Sequence, residues 1–286
     1  MIDASFVEAV QTRQRIAGFT HNFYRYPARF SPLFVRSAIQ TFTKPGDVVL
    51  DPFMGGGTTL VEACAADRRA VGTDINSLSV FISKTKTTAM SQSDLMAIRK
   101  WANKLVQEVN LHNPAVRDRE WEARGYHRNI NSKQTWPTRK ILELSLPTIH
   151  AQLKNDYQKR FARCALLNTA QWALDCKKEI PSASAFRDQI LKHIDAMCAG
   201  AQEFSAAITT DAGTSKELAM CLHRSAAELH LDRTITELSP PKLVVTSPPY
   251  PGVHVLYHRW QVQGRRETPA PYWIPKSHIL ATAPVR

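Results

Sequence analysis

The sequence predicts an α/β protein, a parallel sheet with a long helical stretch set between two of its strands. Three observations carry this. Residues 46–88 read strand, helix, strand, helix; residues 91–215 show helical stretches with little strand signal; a strong strand then returns at 242–246. Short apolar strands alternating with helices are the signature of a parallel, right-handed α/β sheet.

Taken in order, residues 1–22 form a weakly helical arm. An aromatic and basic stretch follows, from His21 to Pro32, and then Leu33, Phe34, Ile39 and Phe42 recur on one face of a helix. Lys44-Pro45-Gly46-Asp47 is a turn, and Val48-Val49-Leu50 is a buried parallel strand ending at Asp51. Thr58 to Ala66 reads as a helix, 70–74 as a second strand, and Asn76 as the N-cap of a helix through about Thr87. Further helices are expected at 93–110, 137–154, 157–178 and 184–208, the last capped by Ser182 or Ser184. Residues 219–223 are a weak strand and 242–246 a strong one, flanked by Pro240-Pro241 and Pro248-Pro249. The expected organisation is 1–90, a sheet half carrying the glycine turn; 91–215, a helical insert; and 216–286, a strand with a basic tail.

Composition narrows the partners. Among 286 residues, 37 Lys+Arg against 25 Asp+Glu give +12, a balance suited to a polyanion. Residues 113–163 hold eleven Lys/Arg against five Asp/Glu, which fits either a solvated helix face or a nucleic-acid surface. A hydrophobic fraction of 43 % excludes general disorder. The N-terminus has no secretory pattern, no apolar run is long enough to span a membrane, and the five cysteines are scattered without a C-x-x-C pair. A cytoplasmic protein without disulfides or zinc is expected. His254 and His258 stand four apart without a third ligand nearby, so no metal site is expected.

Asp51-Pro-Phe-Met-Gly-Gly-Gly-Thr-Thr59 closes a strand and opens a helix. It lacks the lysine of a P-loop and the third glycine of a dinucleotide fingerprint, which disfavours pyrophosphate. Asp74, at the end of the second strand, stands where a carboxylate accepts from ribose hydroxyls. A nucleoside without pyrophosphate fits both facts, and S-adenosylmethionine is such a compound. The segment Thr246-Ser-Pro-Pro-Tyr250 is a rigid loop whose carbonyls are free to accept. Ser247 and the Pro248 carbonyl can hold an exocyclic amino group, with Tyr250 stacked on its base.

Together these segments resemble the amino-group DNA methyltransferases, bacterial enzymes that methylate cytosine N4 or adenine N6. The resemblance covers roughly 21–88 and 219–260. It implies a Rossmann-like sheet with S-adenosyl-L-methionine as methyl donor and double-stranded DNA as partner. It assigns Pro27 and Phe30 to an N-terminal motif closing over the cofactor. Asp51, Phe53, Gly55, Gly57 and Thr58 fall in the cofactor motif, Asp74 on the ribose, and Ser247, Pro248, Pro249 and Tyr250 in the catalytic motif. The Ser-Pro-Pro form is the one typical of cytosine N4 enzymes.

The resemblance also makes 91–215 a candidate DNA-recognition element. Downstream, Arg259, Arg265 and Arg266 are candidate phosphate contacts and Trp260 a stacking residue. Two departures stand out. The proline-containing tail after Tyr250 is too short for the three strands the family places there, so the expectation is an incomplete sheet in a truncated or split chain. Ser225 stands where an acid often meets the adenine, with Asp232 further on. A cognate restriction endonuclease, or a second chain completing the fold, would then be a partner. The alternatives are a non-catalytic nucleic-acid-binding protein with a relict cofactor fold and an RNA methyltransferase.

Overall fold

The apolar run after the Lys44–Asp47 turn forms strand β1 (Val48–Asp51), and the computed structural model builds the rest of the sheet around it. It describes residues 4–11, 17–27, 29–114, 122–208, 214–249, 259–264 and 266–276. Upstream lie α1 (Ala4–Gln11) and α2 (Pro32–Phe42), the latter opened by Pro32 at its first turn, where a missing N–H costs nothing. After β1 come α3 (Thr58–Ala65), β2 (Arg69–Asp74), and α4 (Ser77–Lys86), capped by the Asn76 side chain accepting from the Leu78 N–H.

A two-residue strand β3 (Thr88–Ala89) precedes four long helices: α5 (Gln92–Glu108), α6 (Trp136–Gln152), α7 (Asp156–Leu174) and α8 (Ala183–Ala206). The Ser182 hydroxyl accepts from the Ala185 N–H (3.2 Å) at the start of α8. Then follow β4 (Lys216–Glu217), antiparallel to β3, then β5 (Met220–His223) and β6 (Leu243–Val244). A hairpin of β7 (Trp260–Val262) and β8 (Arg266–Thr268) comes last.

The main sheet has the order β5-β2-β1-β6, and every pairing in it is parallel. The chain is therefore an α/β protein with a parallel sheet. β6 is shorter than the strand expected at 242–246, yet the Lys242 and Val245 N–H groups still donate to Val48 O (2.8 Å) and Leu50 O (3.1 Å). The prolines on both sides end the pairing because they have no N–H to donate.

The chain divides into two compact units, Met1–Gln92 with Met197–Val255 and Ser93–Ala196 with Leu256–Arg286. In the first, Val35 and Ile39 of α2, Val49 of β1, Leu60 and Val61 of α3, Ala70 of β2 and Phe204 of α8 form one apolar core. In the second, Phe161, Ala162 and Cys164 to Leu167 of α7 are almost wholly buried, so α7 is its central helix. The hairpin at 260–268 belongs to this second unit. Its turn runs through Gln263 (φ 49°) and Gly264 (φ 102°). None of the five cysteines is joined in a disulfide. No helix among the described residues is long and apolar enough to cross a membrane.

Candidate functional site

β1 delivers Asp51 to the carboxyl edge of the sheet, where it is 2 % exposed. The Phe53 N–H (3.1 Å) and the Thr246 hydroxyl (2.9 Å) both donate to its Oδ1. Burial pushes the Asp51 carboxyl up to about 6; bonds from Thr59, Thr246 and the Phe53 N–H pull the other way, and Asp74 adds a like charge.

The chain then turns through Gly55 (φ 45°) and Gly57 (φ 75°) into α3, both in the left-handed region that favours glycine. Tyr26 lies against this turn. A Cβ on Gly56 would stand 2.8 Å from Tyr26 Cβ, and one on Gly55 3.2 Å from Tyr26 Cε1. Tyr26 is buried, and its hydroxyl accepts from Asn76 Nδ2 (3.3 Å). Its neighbours Pro27 and Phe30, which the resemblance assigns to the cofactor, are half-buried. Tyr26 itself heads the Tyr-Pro-Ala-Arg-Phe string. Phe53 is 38 % exposed, whereas Thr58 is buried.

Asp74 closes β2 beside this turn. Its Oδ2 accepts from the Gly55 N–H (3.0 Å) and the Ser79 hydroxyl (2.8 Å), and its Oδ1 from the Asn76 N–H (2.8 Å). A carboxylate offers about four acceptor positions, so these bonds leave one on Oδ1. The next residue, Ile75, is a large apolar side chain left 76 % exposed.

The second motif meets the first at the same edge. Thr59 Oγ1 donates to Val245 O (3.3 Å), and Thr246 reaches Asp51 as described. Ser247 is half-buried, and Pro248 and Pro249 are exposed. The structure thus brings Asp51, Phe53, Gly55, Gly57, Thr58, Asp74, Ser247, Pro248 and Pro249 to the carboxyl ends of β1, β2 and β6. Tyr250, Arg265, His254 and His258 lie outside the described residues.

Arg259, Trp260 and Arg266 belong to the second unit. Arg259 is paired with Glu267 across the hairpin (2.7 Å) and Arg266 is exposed. Trp260 is 2 % exposed, so its indole faces the interior and offers no ring for stacking; burial of so large an apolar surface decides its place. Ser225 caps the turn after β5, accepting from the Ala227 N–H (3.3 Å). Asp232 pairs with Arg224 (2.8 Å) and caps the next turn through the Thr234 N–H.

In open parallel α/β sheets ligands bind outside the carboxyl ends of the strands, and the polar groups of this sheet gather at that edge. The comparisons narrow the class. The family model described as DNA methylase matches residues 7–85. The chain is similar to the Type II methyltransferase M.MvaI of Kocuria varians, 44 % identical over 79 residues, which is 27 % of this chain and 17 % of that protein. It is similar to the Type II methyltransferase M.MjaII of Methanocaldococcus jannaschii, 30 % identical over 80 residues, 28 % of this chain and 14 % of that protein. A third relative, the Type II methyltransferase M.Cfr9I of Citrobacter freundii, is 47 % identical over 49 residues, 17 % of this chain and 16 % of that protein. The chain therefore spans less than a fifth of each of these relatives. The match to the family model, from 7 to 85, takes in Tyr26, the glycine turn and Asp74; the Ser-Pro-Pro loop lies beyond it.

Proposed function

We propose that this chain is an S-adenosylmethionine-dependent DNA methyltransferase that methylates an exocyclic amino group, cytosine N4 in preference to adenine N6, within a restriction–modification system. The observation that carries the reading is the Thr246–Asp51 bond, with Thr59 bonded to Val245 beside it. Two motifs almost two hundred residues apart are fastened at the ends of neighbouring strands. That is where a methyl donor and an amino group have to meet.

The residues present fit the donor. The open Oδ1 position of Asp74 suits a ribose hydroxyl, and Ile75 and Phe53 offer apolar surface. When bound, S-adenosylmethionine supplies an activated methyl group on its sulfonium sulfur. The chain's own part is orientation. Gly55, Gly57 and Thr58 line the donor, with Pro27 and Phe30 near Tyr26 on the approach. Ser247 Oγ and the Pro248 carbonyl accept the two N–H groups of the amino group, so that its lone pair faces the methyl. Tyr250 is carried from the sequence as the stacking residue for the extruded base. The preference for cytosine rests on Ser247, and the preference for DNA on the relatives' names and the excess of basic residues. Residues 91–215, Arg259, Arg265 and Arg266 are the proposed DNA contacts.

Transfer of tritiated methyl from the donor into duplex DNA tests this, with the product hydrolysed to nucleosides. Label in N4-methyldeoxycytidine is expected, and Ser247→Ala should lower transfer by about a hundredfold while donor affinity changes little. Label in N6-methyldeoxyadenosine would reverse the base preference. Normal donor binding with no transfer would sink the enzyme reading for this chain and favour a nucleic-acid-binding role. Preference for RNA in competition would replace the substrate class.

A further inference from the structure

The described part of α4 does more than connect β2 to β3. Ser79, Ser83 and Lys86 fall at i, i+4 and i+7, one stripe of the helix, and all three are fully buried. Each lies within hydrogen-bond reach of a backbone carbonyl of the glycine turn, Ser83 and Lys86 as donors and Ser79 with its single proton shared between that carbonyl and Asp74 Oδ2. Ser79 Oγ reaches Gly55 O at 2.6 Å and Ser83 Oγ reaches it at 3.2 Å. Lys86 Nζ reaches Gly56 O at 2.9 Å. The fit is close enough that a Cβ on Gly57 would stand 2.7 Å from Ser83 Oγ.

A wholly buried ammonium is an expensive way to fill space, because it surrenders its hydration, and an apolar side chain of the same length would pack at no such cost. Its placement has a geometric effect. In a planar trans peptide the C=O and N–H point in opposite directions. Pinning the Gly55 carbonyl against α4 therefore turns the Gly56 N–H away from α4. Pinning the Gly56 carbonyl likewise sets the Gly57 N–H, which donates to Met54 O at 2.7 Å. A turn of three successive glycines has no side chains to fix these planes and a large conformational entropy to lose. The stripe supplies the missing constraint from beneath. Charge-assisted bonds are the strong ones, so Lys86 is its decisive member.

We propose that Ser79, Ser83 and Lys86 form a positioning stripe that holds the glycine turn in its donor-binding shape, Lys86 acting through the Gly56 carbonyl. The use of that shape for S-adenosylmethionine rests on the function proposed above; the holding of the turn does not. The test therefore begins without ligand. Amide exchange is measured residue by residue in wild type, Lys86→Met and Ser83→Ala. In Lys86→Met the Gly55 and Gly57 amides should exchange at least about tenfold faster, with Val71 and Thr73 of β2 unchanged. Ser83→Ala keeps the Cβ, and should give a smaller acceleration confined to the same turn. It answers the question even where Lys86→Met does not fold.

With donor present, Lys86→Met should raise the KM for S-adenosylmethionine by about tenfold and leave kcat at saturation within about threefold, a split that general destabilisation does not give. Turn amides that exchange as in wild type in a folded variant overturn the proposal. So does acceleration spread evenly through the first unit, which marks Lys86 as a structural residue. A wild-type protein that binds no donor refutes the function while the exchange result still judges the stripe.

Discussion

Replacing Asp51 by Asn probes the electrostatics on which the junction of the two motifs depends. The carboxyl is 2 % exposed, and burial lifts it from 3.8 to about 6. Linkage fixes the sign. A carboxyl whose folded pKa lies above its unfolded one imposes no penalty while both states are protonated, and the penalty grows as pH rises through the folded value. At about 1.4 kcal/mol for each tenfold in the ionisation constant, the ionised carboxylate costs the native state about 3 kcal/mol at neutral pH. Asn keeps the shape and cannot ionise. The stability of Asp51→Asn minus that of wild type should therefore climb by about 2.4 kcal/mol between about pH 4 and about pH 7. Changed hydrogen bonds to Phe53 and Thr246 add only a constant offset.

The probe must report on the first unit, and all six tryptophans lie in the sequence ranges of the second. Met54 is suitable: it is 3 % exposed in the first unit's core, and its thioether has no proton to titrate. Peroxide oxidation of Met54 across a urea series gives the opening free energy at each pH. A difference curve that stays flat, or falls as pH rises, would refute the reasoning. Donor binding should weaken in the same variant, since the carboxylate is kept at a cost to stability where function requires it.

Three further outcomes follow from the same packing and electrostatics. Gly200→Ala should destabilise the first unit by about 3 kcal/mol in the Met54 assay, because its Cβ would stand 2.2 Å from the backbone oxygen of Phe19; Gly72→Ala, whose Cβ would meet the side chains of Leu60 and Met54, should cost less. Burial pushes the Glu62 carboxyl up, but its bonds to His21 (2.7 Å) and Arg36 (2.8 Å) outweigh that and hold it below the usual carboxylate range. Its contribution is thus present above about pH 4.5 and lost on acidification, so Glu62→Ala should cost about 3 kcal/mol at neutral pH and progressively less in acid, the reverse of Asp51. In the second unit, burial pulls His193 down to about 4. That unit should lose stability as pH falls from about 6.5 towards 4, and His193→Gln should flatten the loss as read by tryptophan fluorescence.

The parallel core was legible because local and tertiary preferences agree there. Val48-Val49-Leu50 has no helical period, Asn76 caps through its own side chain, and the glycine run can only be a turn. The helices at 92–206 were legible within a few residues for the same reason. What escaped depended on distant partners. The hairpin at 260–268 exists because Gln261 O accepts from the Cys176 N–H (2.7 Å) and Lys177 O from the Gln263 N–H (3.0 Å), and nothing in three-residue strands announces that. Gly264 was its one local sign. Trp260 reads as a surface ring beside arginines, yet burial wins. Within the site, Asp51, Gly55 and Asp74 could be named from spacing, and Tyr26 from the string it heads, but the roles of Tyr26 and Lys86 at the turn could not. An aromatic beside a proline and a lysine ending a helix have many uses, and only packing shows that both close on the same three glycines.

The strand order explains why so few residues suffice for a site. β1, which carries the glycine turn, has β2 with Asp74 on one side and β6 with Ser247 on the other. Neighbouring strands lie about 4.8 Å apart, so the ends of β2 and β6 flank the turn across about 10 Å, the reach of a nucleoside with a short side arm. A ligand whose ribose is held at Asp74 and which lies along the turn has its far end directed towards Ser247. The sheet's hydrogen bonds fix that spacing, and the Thr246–Asp51 bond fixes the height at which the Ser-Pro-Pro loop leaves its strand. In the function proposed above, S-adenosylmethionine carries its methyl on the sulfonium sulfur joined to ribose C5′, so a ribose held at Asp74 keeps the reacting group near the turn, between the acid and the Ser-Pro-Pro loop.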